Sequence, residues 1–305
     1  MSKLINSNEL RAMIPCMPSM VLLDKVVIES DTHAIGQKCI TMNELVFHGH
    51  FPGHPIFPGV LEIEAITQLA EVLLRDKLDP EYKGDFYLQE AHKIKFRRPN
   101  NPGDRMIFDL TVTSIGSDSA QFTATVTNSG GVACNAQGTV AVRPRTPDTT
   151  LIQPFGEYDK GISCVMDTPA IEKLIPHRYP FMFVDYVCKI EGSHVTGIKN
   201  LTQGEPVFRT YNDGYSVLMG AVQAEMAAQT GAIYMLSREE NRGKLAYFMG
   251  IDDSKLFIPV HPGQQLRFEI DMPDTSKKVG RGHGCVYADG KLASDTTMLF
   301  AIVDP

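Results

Sequence analysis

The chain repeats itself. Residues 14–68 align without a gap to a stretch 161 positions later, with 15 identities over 55 positions. They include Ile14-Pro15 with Ile175-Pro176, Asp24 with Asp185, Val46-Phe47 with Val207-Phe208, Gly59 with Gly220, Glu64 with Glu225 and Gln68 with Gln229. Unrelated sequences of ordinary composition would share roughly 3. Beyond the alignment the offset drops to 160, where Pro99 matches Pro259 and Pro102-Gly103 matches Pro262-Gly263. Two copies are too few for a solenoid, whose units need several neighbours, and they predict two related units that pair face to face.

The units are predicted at residues 1–147 and 166–305, joined by a linker at 148–165 whose prolines and polar residues show no periodicity. Each unit reads alike. Two strand-like segments, DKVVIES and HAIGQKCITM in the first unit, lead to an irregular stretch and then to a long proline-free segment. PGVLEIEAITQLAEVLLRD and MGAVQAEMAAQTGAIYMLSRE are rich in helix formers and apolar nearly all round, which predicts two buried helices. Alternating segments with glycine-rich connections follow, as antiparallel strands do. The expected fold class is α+β: in each unit a long buried helix wrapped by an antiparallel sheet.

Composition narrows the function. A net charge of −7 argues against a general nucleic-acid binder. No apolar run approaches the roughly 20 residues of a membrane span, and the first residues lack a signal pattern, so a cytoplasmic protein is expected. The six cysteines form no CxxC and read as reduced thiols.

The densest chemical signal is FHGHFPGHPIFPGVLEIEAITQ, Phe47 to Gln68. His48, His50 and His54 suggest a metal, but three prolines break the segment into a loop without a fixed ligand spacing, and no metal site is expected. Acid–base work is the alternative. A histidine in a stiffened loop has a fixed position and is expected to keep an unperturbed pKa of about 6.5, which suits a base at neutral pH. Gly59 opens the helix, where free N–H groups of Gly59 and Val60 can hold an oxyanion. A carboxyl buried on an apolar helix, Glu64 or Glu225, is expected to have a raised pKa and to donate a proton. Gln68 and Gln229 lie one turn further on, placed to orient loops or the glutamates.

HFPGHPIFPGVLEIEAITQ resembles the signature of the FabZ-type (3R)-hydroxyacyl-[acyl-carrier-protein] dehydratases, which have the hotdog fold. In the second unit, LIPHRYPFMFVDYV, IKNLTQGEPVF and YFMGIDDSKLFIPVHPGQQL resemble other motifs of that family. The units have diverged in different places. GHFPGHPIFPGV becomes TYNDGYSVLMGA, so Tyr211 stands at the position of His50, whereas HRYPF has become CMPSM in the first unit. Sites in this family lie at dimer interfaces, with histidine from one subunit and acid from the other. The resemblance therefore implies a double hotdog forming an internal pseudo-dimer, with one working site of His50 and Glu225. Tyr211 and Glu64 would mark a dead second site, with Glu64 the acid instead if the halves pair differently.

The activity implied is dehydration of 3-hydroxyacyl thioesters to trans-2-enoyl thioesters, in fatty-acid, polyketide or specialised lipid synthesis. No metal or redox cofactor is implied, only the phosphopantetheine that carries the substrate. The implied partner is an acyl carrier protein, an acidic surface that a basic patch would receive. Lys93, Lys95, Arg97, Arg98 and Arg178 are the docking candidates; the competing reading of Lys93–Arg98 is the solvated face of a strand. Met219, Met226 and Met235 are expected in the core or along an acyl tunnel. Association beyond the pseudo-dimer is left open. A hotdog thioesterase and a non-catalytic acyl-carrier partner are the competing functions.

Overall fold

A computed structural model describes residues 2–149, 164–272 and 279–304. The first half contains β1 (Lys3–Ile5), α1 (Ser7–Met13), β2 (Lys25–Ser30), β3 (His33–Cys39), α2 (Gly59–Leu78), β4 (Gly84–Phe96), β5 (Arg105–Ile115), β6 (Ser119–Asn128) and β7 (Gly131–Pro144). The second contains α3 (Thr168–Ile171), β8 (Tyr186–Glu191), β9 (His194–Asn200), β10 (Phe208–Thr210), β11 (Ser216–Leu218), α4 (Gly220–Ser237), β12 (Leu245–Leu256), β13 (Gln265–Asp271), β14 (Val279–Ala288) and β15 (Lys291–Val303). Most of the linker expected at 148–165 lies outside the described residues.

Thirteen strands form one sheet in the order β1-β2-β3-β5-β6-β7-β4-β12-β15-β14-β13-β9-β8. Apart from β1, the order is a palindrome about the β4–β12 seam, with each strand facing its counterpart in the repeat. The seam is antiparallel, pairing Glu90 with Lys255 and Lys95 with Gly250, and a Lys255–Glu90 ion pair at 3.0 Å crosses it. The repeat seen in the sequence is thus an internal pseudo-dimer built on one continuous sheet.

The helices explain why the sheet curls. α2 and α4 pack against each other and against the strands around them, and almost every residue of both is buried. An element apolar on all sides must be enclosed, and each half wraps its own helix. Met219, Met226 and Met235 are all core residues.

Two features go beyond the sequence reading. α1 is a short helix closed by a capping box in which the Asn6 side chain accepts from Glu9 N–H and the Glu9 carboxylate accepts from Asn6 N–H. The β10–β11 hairpin turns at Asn212-Asp213-Gly214, with Gly214 at φ +84°, the left-handed region open to glycine. It occupies the place of the proline-rich loop in the first half.

Candidate active site

His50 leaves a short 3-10 turn, Leu45–His48, through Gly49. Its N–H donates to Val46 O at 2.9 Å, and its carbonyl accepts from Ile56 N–H at 3.1 Å. Its Nδ1 donates to Ile56 O at 2.7 Å, which leaves Nε2 with a lone pair for a substrate proton. Gly49 is required by close approach: a Cβ there would lie 2.3 Å from Arg178 O and 2.8 Å from Phe181 N. At that contact Arg178 N–H donates to Gly49 O at 3.0 Å, joining the His50 loop to the other half.

That other half supplies Glu225, on the second turn of α4. Its Oε1 accepts from Gln229 Nε2 at 2.9 Å. Gln229 also holds the adjoining loop, accepting from Phe183 N–H at 2.8 Å and donating to Phe181 O at 3.0 Å. Gln68 does the same in the first half, with Leu22 N–H, Met20 O and Glu64. The orienting role expected of both glutamines is what their hydrogen bonds describe.

The loop that Gln229 holds brings in a residue the sequence reading quoted without assigning it a role. His177, in the HRYPF stretch, places Nε2 3.4 Å from Glu225 Oε1, and its ring centroid lies 5.4 Å from that of His50. The signal was available: position 16, its counterpart, is a cysteine, the same one-sided replacement that singled out His50.

The electrostatics follow from burial and from this third group. His50 does not keep the ordinary imidazole pKa expected of it: burial, with His177 beside it, lowers it to about 4, so the imidazole is neutral at pH 7. Glu225 departs from the expectation for a carboxyl on an apolar helix. Burial pushes it up, but the hydrogen bond and charge of His177, with His50 and Gln229, outweigh burial and hold it below the usual carboxylate range. Glu64 behaves as expected and is raised by burial, against the opposing charge of Arg209.

His50, His177 and Glu225 line one cavity of about 340 Å³ between the halves, together with Gly59, Phe96, Ala228 and Ala232. Gly59 opens α2 at this wall, and no side chain caps that helix end, so the first-turn N–H groups of Gly59 and Val60 have no intrahelical acceptor. A Cβ at Gly59 would lie 2.7 Å from the Phe96 ring. His54 lies at the rim of the cavity, and His48 is exposed outside it.

The pseudo-symmetric position is closed. Arg209 Nη1 donates to Glu64 at 3.0 Å and Nη2 bonds Glu71, which also binds Arg75. Arg209, Glu64 and Glu71 are at most 2 % exposed. The cavity remaining beside Glu64 and Gly220 is about 10 Å³, and a separate pocket of about 400 Å³ lies beyond it, lined by Cys16, Arg75, Arg145 and Tyr211. Glu71 corresponds to Ala232 of the open site, so a charged pair fills the space that alanine leaves free. Tyr211 turns away from Glu64. Its hydroxyl donates to Asp85 Oδ1 at 3.0 Å and accepts from Phe86 N–H at 3.0 Å, and burial pushes the phenol up to about 12.

Lys93, Lys95, Arg97 and Arg98 are exposed, and Arg97 and Arg98 stand at the mouth of the open cavity. Arg178 departs from its expected docking role. Its guanidinium turns inward and donates to Ile175 O, His177 O and Glu172 O at 2.9, 2.6 and 2.8 Å, which positions the His177 loop. The ligand-capable atoms of His50, His177 and Glu225 also lie within 4.8 Å of one another, a donor set able to accept a transition-metal ion.

Fold and site together define a double hotdog with a composite histidine–carboxylate centre between its halves. The chain belongs to the FabA-like domain family, which matches it twice, at residues 14–137 and 175–302. The 3-hydroxyacyl-[acyl-carrier-protein] dehydratase FabZ of Bacillus cereus (strain AH820) is 42% identical over 141 residues, 46% of this chain and 98% of that protein. Among solved structures, the dehydratase domain of RzxB from Pseudomonas fluorescens has a TM-score of 0.63 at 14% identity, covering 92% of this chain and 98% of that one. The dehydratase domain from the CurJ module of Curacin polyketide synthase has a TM-score of 0.62 at 12% identity, covering 96% and 98%. An oleoyl thioesterase (putative) from Lactobacillus plantarum also matches, with a TM-score of 0.57 at 10% identity over 90% of this chain and 98% of that one. At such identities the likeness concerns the fold alone, and the chemistry rests on the site.

Proposed function

We propose that this protein is a dehydratase that converts (3R)-3-hydroxyacyl thioesters on an acyl carrier protein to trans-2-enoyl thioesters and water, in fatty-acid or polyketide biosynthesis. The observation that carries this reading is the cavity in which His50 of the first half faces Glu225 of the second. The FabA-like family match and the FabZ relatives support it.

The substrate enters on its phosphopantetheine arm past Arg97 and Arg98. Neutral His50 removes a C2 proton through Nε2, while Nδ1–H stays on Ile56 O and fixes the tautomer. The first-turn N–H groups of α2 receive the thioester oxygen as charge develops. The C3–O bond breaks with its electron pair, and the oxygen takes a proton from the Glu225–His177 pair, leaving as water. Glu225 is held low by His177, His50 and Gln229, and the proton shared within the pair reaches the leaving oxygen through the carboxylate. The proton gained by His50 then restores the pair through solvent. The scheme uses no metal or redox cofactor.

Purified protein is mixed with a 3-hydroxyacyl thioester. Growth of enoyl-thioester absorbance is the expected result. Release of free thiol without enoyl product would instead establish a thioesterase, and neither signal would establish a non-catalytic carrier partner.

A further inference from the structure

Glu62 lies in the first turn of α2 and lines the same cavity as His50 and Glu225, yet the dehydration scheme gives it no task. It is 3 % exposed. Its Oε1 accepts from Asn100 Nδ2 at 2.8 Å. Asn100 is itself fully buried and oriented from behind. Its Oδ1 accepts from Asn128 Nδ2 at 2.8 Å, and its backbone carbonyl accepts from Phe57 N–H at 2.8 Å. With Oδ1 so engaged, only the Nδ2 end of Asn100 can face Glu62. The relay Asn128–Asn100–Glu62 ends at Oε2, which has no partner among the described residues. Leaving such an atom unpaired and buried is unfavourable. The relay is not a symmetric product of the fold, since Gln223 and Val260 stand at the positions of Glu62 and Asn100 in the other half.

Burial pushes Glu62 up to about 8, against the hydrogen bond from Asn100, so the carboxyl is protonated at neutral pH. Oε1 is an acceptor to Asn100, which places the proton on Oε2. The unpartnered atom of this cavity-lining residue is then a buried O–H donor.

We propose that Glu62 forms a binding subsite for an acceptor oxygen, an amide carbonyl or a hydroxyl, on the acyl-pantetheine substrate, and so determines which thioesters the enzyme prefers. This rests on the dehydratase reading. A buried donor left unmet discriminates against a substrate that lacks the matching oxygen. The oxygen has two possible sources in one substrate, the amides of the arm or an oxygenated acyl chain.

The test measures wild type, Glu62→Gln and Glu62→Met with three 3-hydroxyacyl thioesters: a plain chain on pantetheine, the same chain on ethanethiol, and a chain with a second hydroxyl on ethanethiol. The readout is the ratio of kcat/KM between substrates within one preparation, which does not depend on the folded fraction. Wild type and Glu62→Gln, which keeps a donor, favour an oxygen-bearing substrate, and Glu62→Met loses about tenfold of that preference, the worth of one hydrogen bond. Loss confined to pantetheine assigns the oxygen to the arm, and loss confined to the second hydroxyl assigns it to the acyl chain. Ratios unchanged in Glu62→Met overturn the subsite alone. Wild-type protein inactive on all three overturns the dehydratase reading and the subsite with it.

Discussion

Replacing Arg209 with methionine removes the cation that plugs the closed half-site. Glu71 keeps Arg75, but Glu64 is left with only Gln68. At 1 % exposure, Glu64 cannot remain a carboxylate cheaply and takes up a proton instead. That proton costs about 1.4 kcal/mol for each pH unit above the unfolded carboxyl pKa of about 4.3. The ceiling is near 4 kcal/mol at pH 7 and about 1 kcal/mol at pH 5, and the first figure falls in the range of about 3–5 kcal/mol for breaking a buried pair. The sign follows from linkage. A carboxyl whose folded pKa is raised binds more protons folded than unfolded, so the variant loses stability as pH rises above about 4.3. At roughly 2 °C per kcal/mol for a chain of this size, Tm should fall by at most about 8 °C at pH 7 and about 2 °C at pH 5 relative to wild type, whose Glu64 is itself already raised by burial. Thermal melts followed by circular dichroism at the two pH values measure this. Arg209→Met with Glu64→Gln should recover most of the loss at pH 7. A deficit equal at both pH values, or under about 1 kcal/mol at pH 7, would refute the reasoning. In the folded fraction, kcat/KM should stay within about twofold, because the open cavity does not use Arg209.

His177→Gln removes the group that depresses both catalytic partners. The acid limb of the kcat/KM profile, set by His50 at about 4, should move to higher pH, and the rate should drop by about tenfold or more; an unmoved limb assigns His177 to packing alone. Arg97→Glu with Arg98→Glu should raise KM for the carrier-bound substrate, with a weaker salt dependence, and leave a pantetheine thioester unaffected. Equal effects on both substrates would place these arginines in the chemistry instead. EDTA should leave the rate unchanged; a loss that zinc restores would turn the His50–His177–Glu225 cluster into a metal centre.

The fold and the principal pair were legible because the chain carries its own comparison. Strand alternation and two helices apolar on every side define each unit, and the offset aligns His50 with Tyr211 and Glu64 with Glu225. The rest depended on contacts between distant segments. β4 begins at Gly84, well before the KIKF stretch, because YLQEAH alternates too weakly to announce a strand on a buried seam. Arg209 and Glu71 each look like an ordinary charge in the sequence. Only the pairing of the halves puts them together in the volume that Ala232 leaves open on the other side. The low pKa of Glu225 likewise required His177, which arrives from a loop 48 residues earlier in the chain. Arg178 could not be told from a surface cation until its three carbonyl partners were seen.

The composite site is tested most directly by steady-state dehydration kinetics of His50→Ala, Glu225→Gln and Glu64→Gln on folded protein. His50→Ala and Glu225→Gln should each lose roughly 10²–10⁴-fold in kcat/KM, while Glu64→Gln keeps wild-type activity within about twofold. Loss of activity in Glu64→Gln with Glu225→Gln still active would contradict a site shared between His50 of one half and Glu225 of the other.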